Sequence, residues 1–174
     1  MRYQPTHYIG DARHRYLLGT LGRRNLLFLA VNPSLADDQH SDTTITKIIR
    51  FAARNGYDGW FVANIYPQRS TDPKGIHHQP DPKLVRENIW HLSQFIKENK
   101  IEAVVACWGN LILSRPYFKA NLRALVRQTE LGSLPWFCLG LTKTGLPRHP
   151  SRVAYCRFQP FKLVESGHDL ASLR

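Results

Sequence analysis

Apolar positions in this chain fall into short unbroken runs, separated by segments whose apolar residues recur at helical spacing. The most compact run is Leu26-Leu27-Phe28-Leu29-Ala30-Val31, six apolar residues without alternation. Such a run predicts a strand buried on both faces, as in a parallel sheet covered by helices. Three further runs read the same way: Trp60 to Asn64, Ala103 to Trp108 and Pro135 to Gly140. Between them, Ile45, Ile48, Ile49 and Ala52 predict a helix over 43–55, with Asp42 as its N-cap and Gly56 at its end. Leu84, Ile89, Leu92 and Ile96 predict a second helix, capped by Asp81 and running to about Asn99. A third, basic helix is expected from about Tyr117 to Gln128. Tyr16-Leu17-Leu18 predicts a short strand, with Gly22 turning the chain into the central strand as an antiparallel edge hairpin. Alternating strands and helices imply a three-layer α/β/α sandwich around a central, mostly parallel, four-stranded sheet. No linker or internal repeat divides residues 1–174, so one domain is expected, with a weakly patterned tail over 153–174.

The loops are as informative as the runs. The first strand ends in Asn32-Pro33-Ser34, where Pro33 cannot donate to a ladder and biases Asn32 toward extended geometry. The second strand also ends in an asparagine, Asn64. The third closes in Trp108-Gly109, and after the fourth His149 lies between Pro147 and Pro150. In an open parallel sheet the C-terminal strand ends share one edge, where ligands bind. Asn32, Asn64, the Trp108-Gly109 turn and His149 therefore converge as a candidate site. Two carboxamides and an imidazole can read the polar edge of a base, and an asparagine can hold a water. The longest loop, Ile65 to Pro80, is rich in Pro, Gly, His and Asp.

Charge narrows the class of partner. The chain carries 24 Lys and Arg against 13 Asp and Glu, a formal net charge of +11. Residues 115–162 hold nine basic side chains and one acid, Glu130, whereas residues 58–102 are balanced. A lopsided basic half is the footprint of a polyanion, most often nucleic acid. Arg123, Arg127, Lys143, Arg148 and Arg152 are the candidate nucleic-acid contacts. The three cysteines are far apart in sequence and offer no disulfide framework or thiolate metal set, which suits a cytoplasmic protein. No apolar run approaches the roughly 18 residues of a membrane span. The run Asp37-Asp38-Gln39-His40-Ser41-Asp42 contains hard oxygen ligands for magnesium, but Asp42 is committed to the helix cap. No metal and no cofactor is expected.

Taken in order, Asn32-Pro33-Ser34-Leu35-Ala36-Asp37, Asp42-Thr43-Thr44-Ile45, Asn55-Gly56-Tyr57, Asn64, Trp108-Gly109 and Leu141-Thr142-Lys143-Thr144-Gly145-Leu146-Pro147-Arg148-His149-Pro150 resemble domain-of-unknown-function family 1643 of bacteria and phages, over about residues 15–152. The same order is distantly similar to the uracil-DNA glycosylase superfamily. That resemblance implies a uracil-DNA-glycosylase-like fold and two catalytic residues. Asn32, in the Asn-Pro form of the first motif, would position the attacking water, and His149, in His149-Pro150-Ser151, would stabilise the departing base. Pro33, Ser34, Asn64, Trp108, Gly109 and Ser151 would complete the substrate site, with Asn64 reading the base. Two features depart from the superfamily. No stacking aromatic follows the first motif unless a distant residue such as Tyr66 serves, and Arg152-Val153 replaces a Pro-Leu wedge. The sequence therefore supports two functions. One is a DNA N-glycosylase-like hydrolase acting on a damaged or modified base, with DNA favoured over RNA. The other is a non-catalytic module binding nucleic acid, a nucleotide or a base at the same strand edge.

Overall fold

The computed structural model describes residues 3–163. Its strands are β1 (His7–Gly10), β2 (Arg15–Thr20), β3 (Asn25–Ala30), β4 (Gly59–Asn64), β5 (Ala103–Ala106), β6 (Trp136–Cys138) and β7 (Gln159–Pro160). Its α-helices are α1 (Thr43–Arg54), α2 (Pro82–Glu98) and α3 (Pro116–Gln128). All seven strands join one sheet in the order β1-β2-β4-β3-β5-β6-β7.

The four strands expected from unbroken apolar runs are present, and β4, β3, β5 and β6 run parallel to one another. The expectation of a four-stranded sheet is corrected, because the sheet is mixed and seven-stranded, with antiparallel pairings at both margins. Residues of β1 are only partly covered, and β7 is two exposed residues. Neither leaves an apolar signature to find. The hairpin expected between β2 and β3 is also corrected. Both edges of β3 are occupied by β4 and β5, so β2 pairs with β4 and β1 instead.

Period-two alternation divides the buried strands between two cores. Leu26, Phe28 and Ala30 face a core containing Ile45, Ile48, Ile49 and Phe51 of α1. Leu27, Leu29 and Val31 face the opposite core, with Leu84, Leu92 and Phe95 of α2 and Phe118, Leu122 and Leu125 of α3. Each such aliphatic or aromatic side chain, fully buried, contributes about 1.5–3 kcal/mol. Asp42 caps α1 by accepting the Ile45 N–H at 2.8 Å, and Asp81 caps α2 by accepting that of Lys83 at 2.8 Å. Among the described residues no helix is long and apolar enough to cross a membrane. Of the tail over 153–174, the part beyond residue 163 lies outside the described residues.

This topology fixes where a ligand can sit. The chain leaves β3 for α1 on one face but leaves β5 for α3 on the other. Adjacent parallel strands whose connections diverge in this way open a crevice at their C-terminal ends.

Candidate functional site

A cleft of about 720 Å³ occupies that crevice. Each of the four parallel strands contributes the segment that follows it. Val31 and Asn32 come after β3, Thr71 and Pro73 after β4, and Trp108, Gly109, Asn110 and Leu111 after β5. Thr142, Lys143, Arg148, His149, Ser151 and Arg152 come after β6.

Asn32 is held by its amino group. Its Nδ2 donates to the carbonyl of Ser70 at 2.9 Å and to that of Pro33 at 3.1 Å. Both donors are thus used, and Oδ1 is left as an acceptor in the cleft. The loop beyond it is clamped from below. The Arg15 Nη1 donates to the Ala36 carbonyl at 2.8 Å, and the Arg69 guanidinium donates to the carbonyls of Leu35 and Ala36. Burial pushes the Arg15 guanidinium down to about 10. The Ser34 hydroxyl donates to Asp42, tying the start of the loop to the α1 cap.

His149 arrives on a loop braced against β5. The Gly109 N–H donates to the Pro147 carbonyl at 2.8 Å, and Gly109 has φ +58°, a conformation that favours glycine. Across the loop, the Arg148 N–H donates to Gly140 at 2.9 Å and its Nε to the Leu141 carbonyl at 2.8 Å. Lys47 Nζ of α1 donates to the Val153 carbonyl at 2.8 Å, fixing the far end. The imidazole itself caps the short 3₁₀ turn Pro150–Arg152: its Nδ1 lies 2.8 Å from the Ser151 hydroxyl and accepts the Ser151 N–H at 3.4 Å. An accepting Nδ1 places the proton on Nε2. Burial lowers the His149 pKa from the ordinary 6.5. The charge of Asp42 opposes this, and that of Arg152 adds to it. The ring is therefore a neutral Nε2–H donor at pH 7.

The expected site residues divide into two groups. Asn32, Trp108, Gly109, His149, Ser151, Lys143, Arg148 and Arg152 all line the cleft. Pro33, Ser34 and Asn64 do not. Pro33 is buried beneath the loop, and Ser34 is spent on Asp42. Asn64 pairs in register with Ala30 and is 1% exposed, and both polar atoms of its side chain are buried without a partner among the described residues. The strand pattern correctly ends β4 at Asn64, but burial withdraws its carboxamide from the cleft. Arg123 and Arg127 are also absent from the lining. They lie in the second half of α3, which runs from the cleft edge back toward the start of β6. Tyr66 cannot supply the missing stacking face, because it is 0% exposed and its hydroxyl accepts the Asp81 N–H at 3.0 Å.

Sequence reasoning missed Thr71, Pro73, Asn110, Leu111 and Thr142. Thr71 and Pro73 lie in the long loop, where no periodicity marks them. Asn110 carried a signal, since it follows the glycine that closes β5 as Asn32 closes β3. No cluster of three or more His, Cys, Asp or Glu able to hold a metal occurs among the described residues. Asp37 instead accepts the N–H groups of His40 and Gln39 at 2.7 and 2.9 Å, which hold its carboxyl below the usual range.

The family described as a protein of unknown function, DUF1643, matches residues 15–151. The chain belongs to this family. The matched span begins at the loop clamp Arg15 and ends at Ser151 beside His149, so every lining residue of the cleft except Arg152 lies within the DUF1643 region. No curated protein and no solved structure matches the chain.

Proposed function

We propose that this DUF1643 chain binds nucleic acid or a nucleotide, taking a phosphorylated nucleotide unit into the cleft between β3 and β5. The observation that carries this function is the composition of the lining. Lys143, Arg148 and Arg152 bring three cations, while among the described residues no carboxylate lines the cleft. A concave site with one sign of charge attracts a polyanion and discriminates against acidic neighbours. Asn32 Oδ1 and His149 Nε2–H add one fixed acceptor and one fixed donor for an uncharged polar edge.

Oligonucleotide binding followed by fluorescence anisotropy tests this directly. Affinity should fall steeply between about 50 and 200 mM salt, since each neutralised phosphate adds about −0.9 to the log–log slope on duplex DNA and about −0.7 on a single strand. Lys143→Glu and Arg152→Glu should weaken binding to all sequences alike, and more than Arg127→Glu on α3. Affinity indifferent to salt, or lost only in Arg127→Glu, contradicts a cleft-bound strand.

A second function, N-glycosidic bond hydrolysis in DNA, is supported by the pairing of Asn32 and His149 in one cleft. A neutral imidazole donor is suited to an oxygen on which charge develops as a base departs. Asn32 Oδ1 can orient a water, although a neutral carboxamide removes its proton poorly. The withdrawal of Asn64 and Tyr66 from the cleft leaves the expected base reader and stacking face unfilled, which favours binding over excision. The central parallel strands and the motif order are the features in common with a uracil-DNA-glycosylase-like fold.

A further inference from the structure

One polar side chain in the cleft has no role yet. Asn110 follows Gly109 at the end of β5 and is exposed. Its Oδ1 accepts the hydroxyl of Thr144 at 2.9 Å and that of Thr142 at 3.1 Å, both from the loop that carries Lys143. The two hydroxyls lie 2.9 Å apart, and Thr142 Oγ1 also accepts the Leu146 N–H at 3.1 Å. The carboxamide oxygen is thus consumed by the protein, and Nδ2 makes no hydrogen bond to any described residue. Asn32 is its opposite: there Nδ2 is consumed by two carbonyls and Oδ1 is left over.

A free asparagine offers a donor and an acceptor together, and can pair bidentately with adenine. Neither asparagine in this cleft can do so, because each has one half tied back. The cleft instead presents a donor at Asn110 and an acceptor at Asn32, set on neighbouring strand ends. These side chains are oriented before any ligand arrives, so less rotamer freedom is lost on binding.

We infer that Asn110 is a specificity-determining residue, whose Nδ2 donates to a carbonyl oxygen on the base of the bound nucleotide while Asn32 Oδ1 accepts from the adjacent ring N–H. The cleft then selects bases with a keto oxygen beside a ring N–H over bases with an amino group beside a bare ring nitrogen. This inference rests on the nucleotide-binding function proposed above and adds its selectivity.

Inosine 5′-monophosphate and adenosine 5′-monophosphate form the cleanest probe pair, because they differ only along this edge. Titration calorimetry of the full chain should show inosine monophosphate binding about 10-fold or more tightly than adenosine monophosphate. Asn110→Ala should cut the preference several-fold, chiefly by weakening inosine monophosphate, and the contact to Asn32 Oδ1 holds what remains. Thr142→Val with Thr144→Val, which releases the carboxamide to turn, should likewise reduce the preference with Asn110 still present. Equal affinity of the wild type for the two nucleotides, with salt-sensitive oligonucleotide binding intact, overturns the role of Asn110 and leaves nucleotide binding standing. A preference undiminished in Asn110→Ala overturns it equally. Failure of both nucleotides and of oligonucleotides to bind overturns both proposals.

Discussion

Asn32 Nδ2 donates to the Ser70 carbonyl at 2.9 Å, so the side chain that ends β3 is oriented by the loop that follows β4. The reverse contact, the Ser70 N–H donating to the Pro33 carbonyl at 3.0 Å, locks the two loops together. An aspartate at this position has no N–H to give. Asn32→Asp would set a carboxylate against two carbonyl oxygens, and is expected to destabilise the fold by about 1–3 kcal/mol at pH 7. Part of that loss should return at acid pH, where a protonated carboxyl regains one donor. Urea denaturation of the variant at pH 7 and pH 4, each referenced to the wild type, measures both effects.

Gly109 braces the loop that carries His149. A Cβ there would meet the His149 Cβ at 3.6 Å, an ordinary contact, so space is not the constraint. Conformation is, because φ is +58°. Gly109→Ala should cost about 1–2 kcal/mol and loosen the Pro147–His149 loop, weakening nucleotide binding as well. A denaturation midpoint unchanged from the wild type would show that this backbone strain is absorbed elsewhere.

His149 gives the site a pH signature. Because burial lowers its pKa in the folded chain, it contributes no pH dependence above 6.5, where it is neutral both folded and unfolded. Below 6.5 the unfolded chain takes up the proton first, so stability falls as pH falls, until the lowered folded pKa is reached. His149→Gln should flatten the part of the stability profile that lies just below pH 6.5. Half-buried His91, lowered by burial in the same way, accounts for part of the slope that remains.

Catalysis makes a separate expectation. If the cleft hydrolyses an N-glycosidic bond, oligonucleotides carrying uracil, mismatched or oxidised bases or modified pyrimidines should yield alkali-sensitive sites. Cleavage should fall about 10²–10³-fold in Asn32→Ala and His149→Ala. Strand affinity should fall far less in both, because Lys143, Arg148 and Arg152 are untouched. Absence of alkali-sensitive sites on every substrate leaves the binding function alone.

The buried strands and the three helices were legible in the sequence because their signals are local. Leu26 to Val31 is apolar without interruption, and Ile45, Ile48 and Ile49 repeat at helical spacing. The sheet margins were not legible, because β1 is four partly covered residues, too short for a pattern, and β7 is a Gln-Pro pair. Among site residues, sequence located strand ends well but not the direction of the side chains there. Asn64 is the last residue of β4 and Asn32 lies two residues beyond β3, so one is buried in the sheet and the other reaches the cleft. Arg123 and Arg127 lie outside the cleft lining for a related reason. Net charge reports that a segment is basic, but not which end of α3 reaches the ligand edge.

Binding inside this cleft is tested most directly by nuclear magnetic resonance. Side-chain amide and imidazole ¹⁵N signals of the full chain would be followed as a short single-stranded oligonucleotide is added. Occupation of the cleft predicts that the Asn32 and Asn110 carboxamides and the His149 ring shift together, with saturation at one common affinity. The Arg123 and Arg127 side chains on α3 should stay unmoved. Shifts confined to α3, with Asn32, Asn110 and His149 unchanged at saturation, would contradict a nucleic-acid site between β3 and β5.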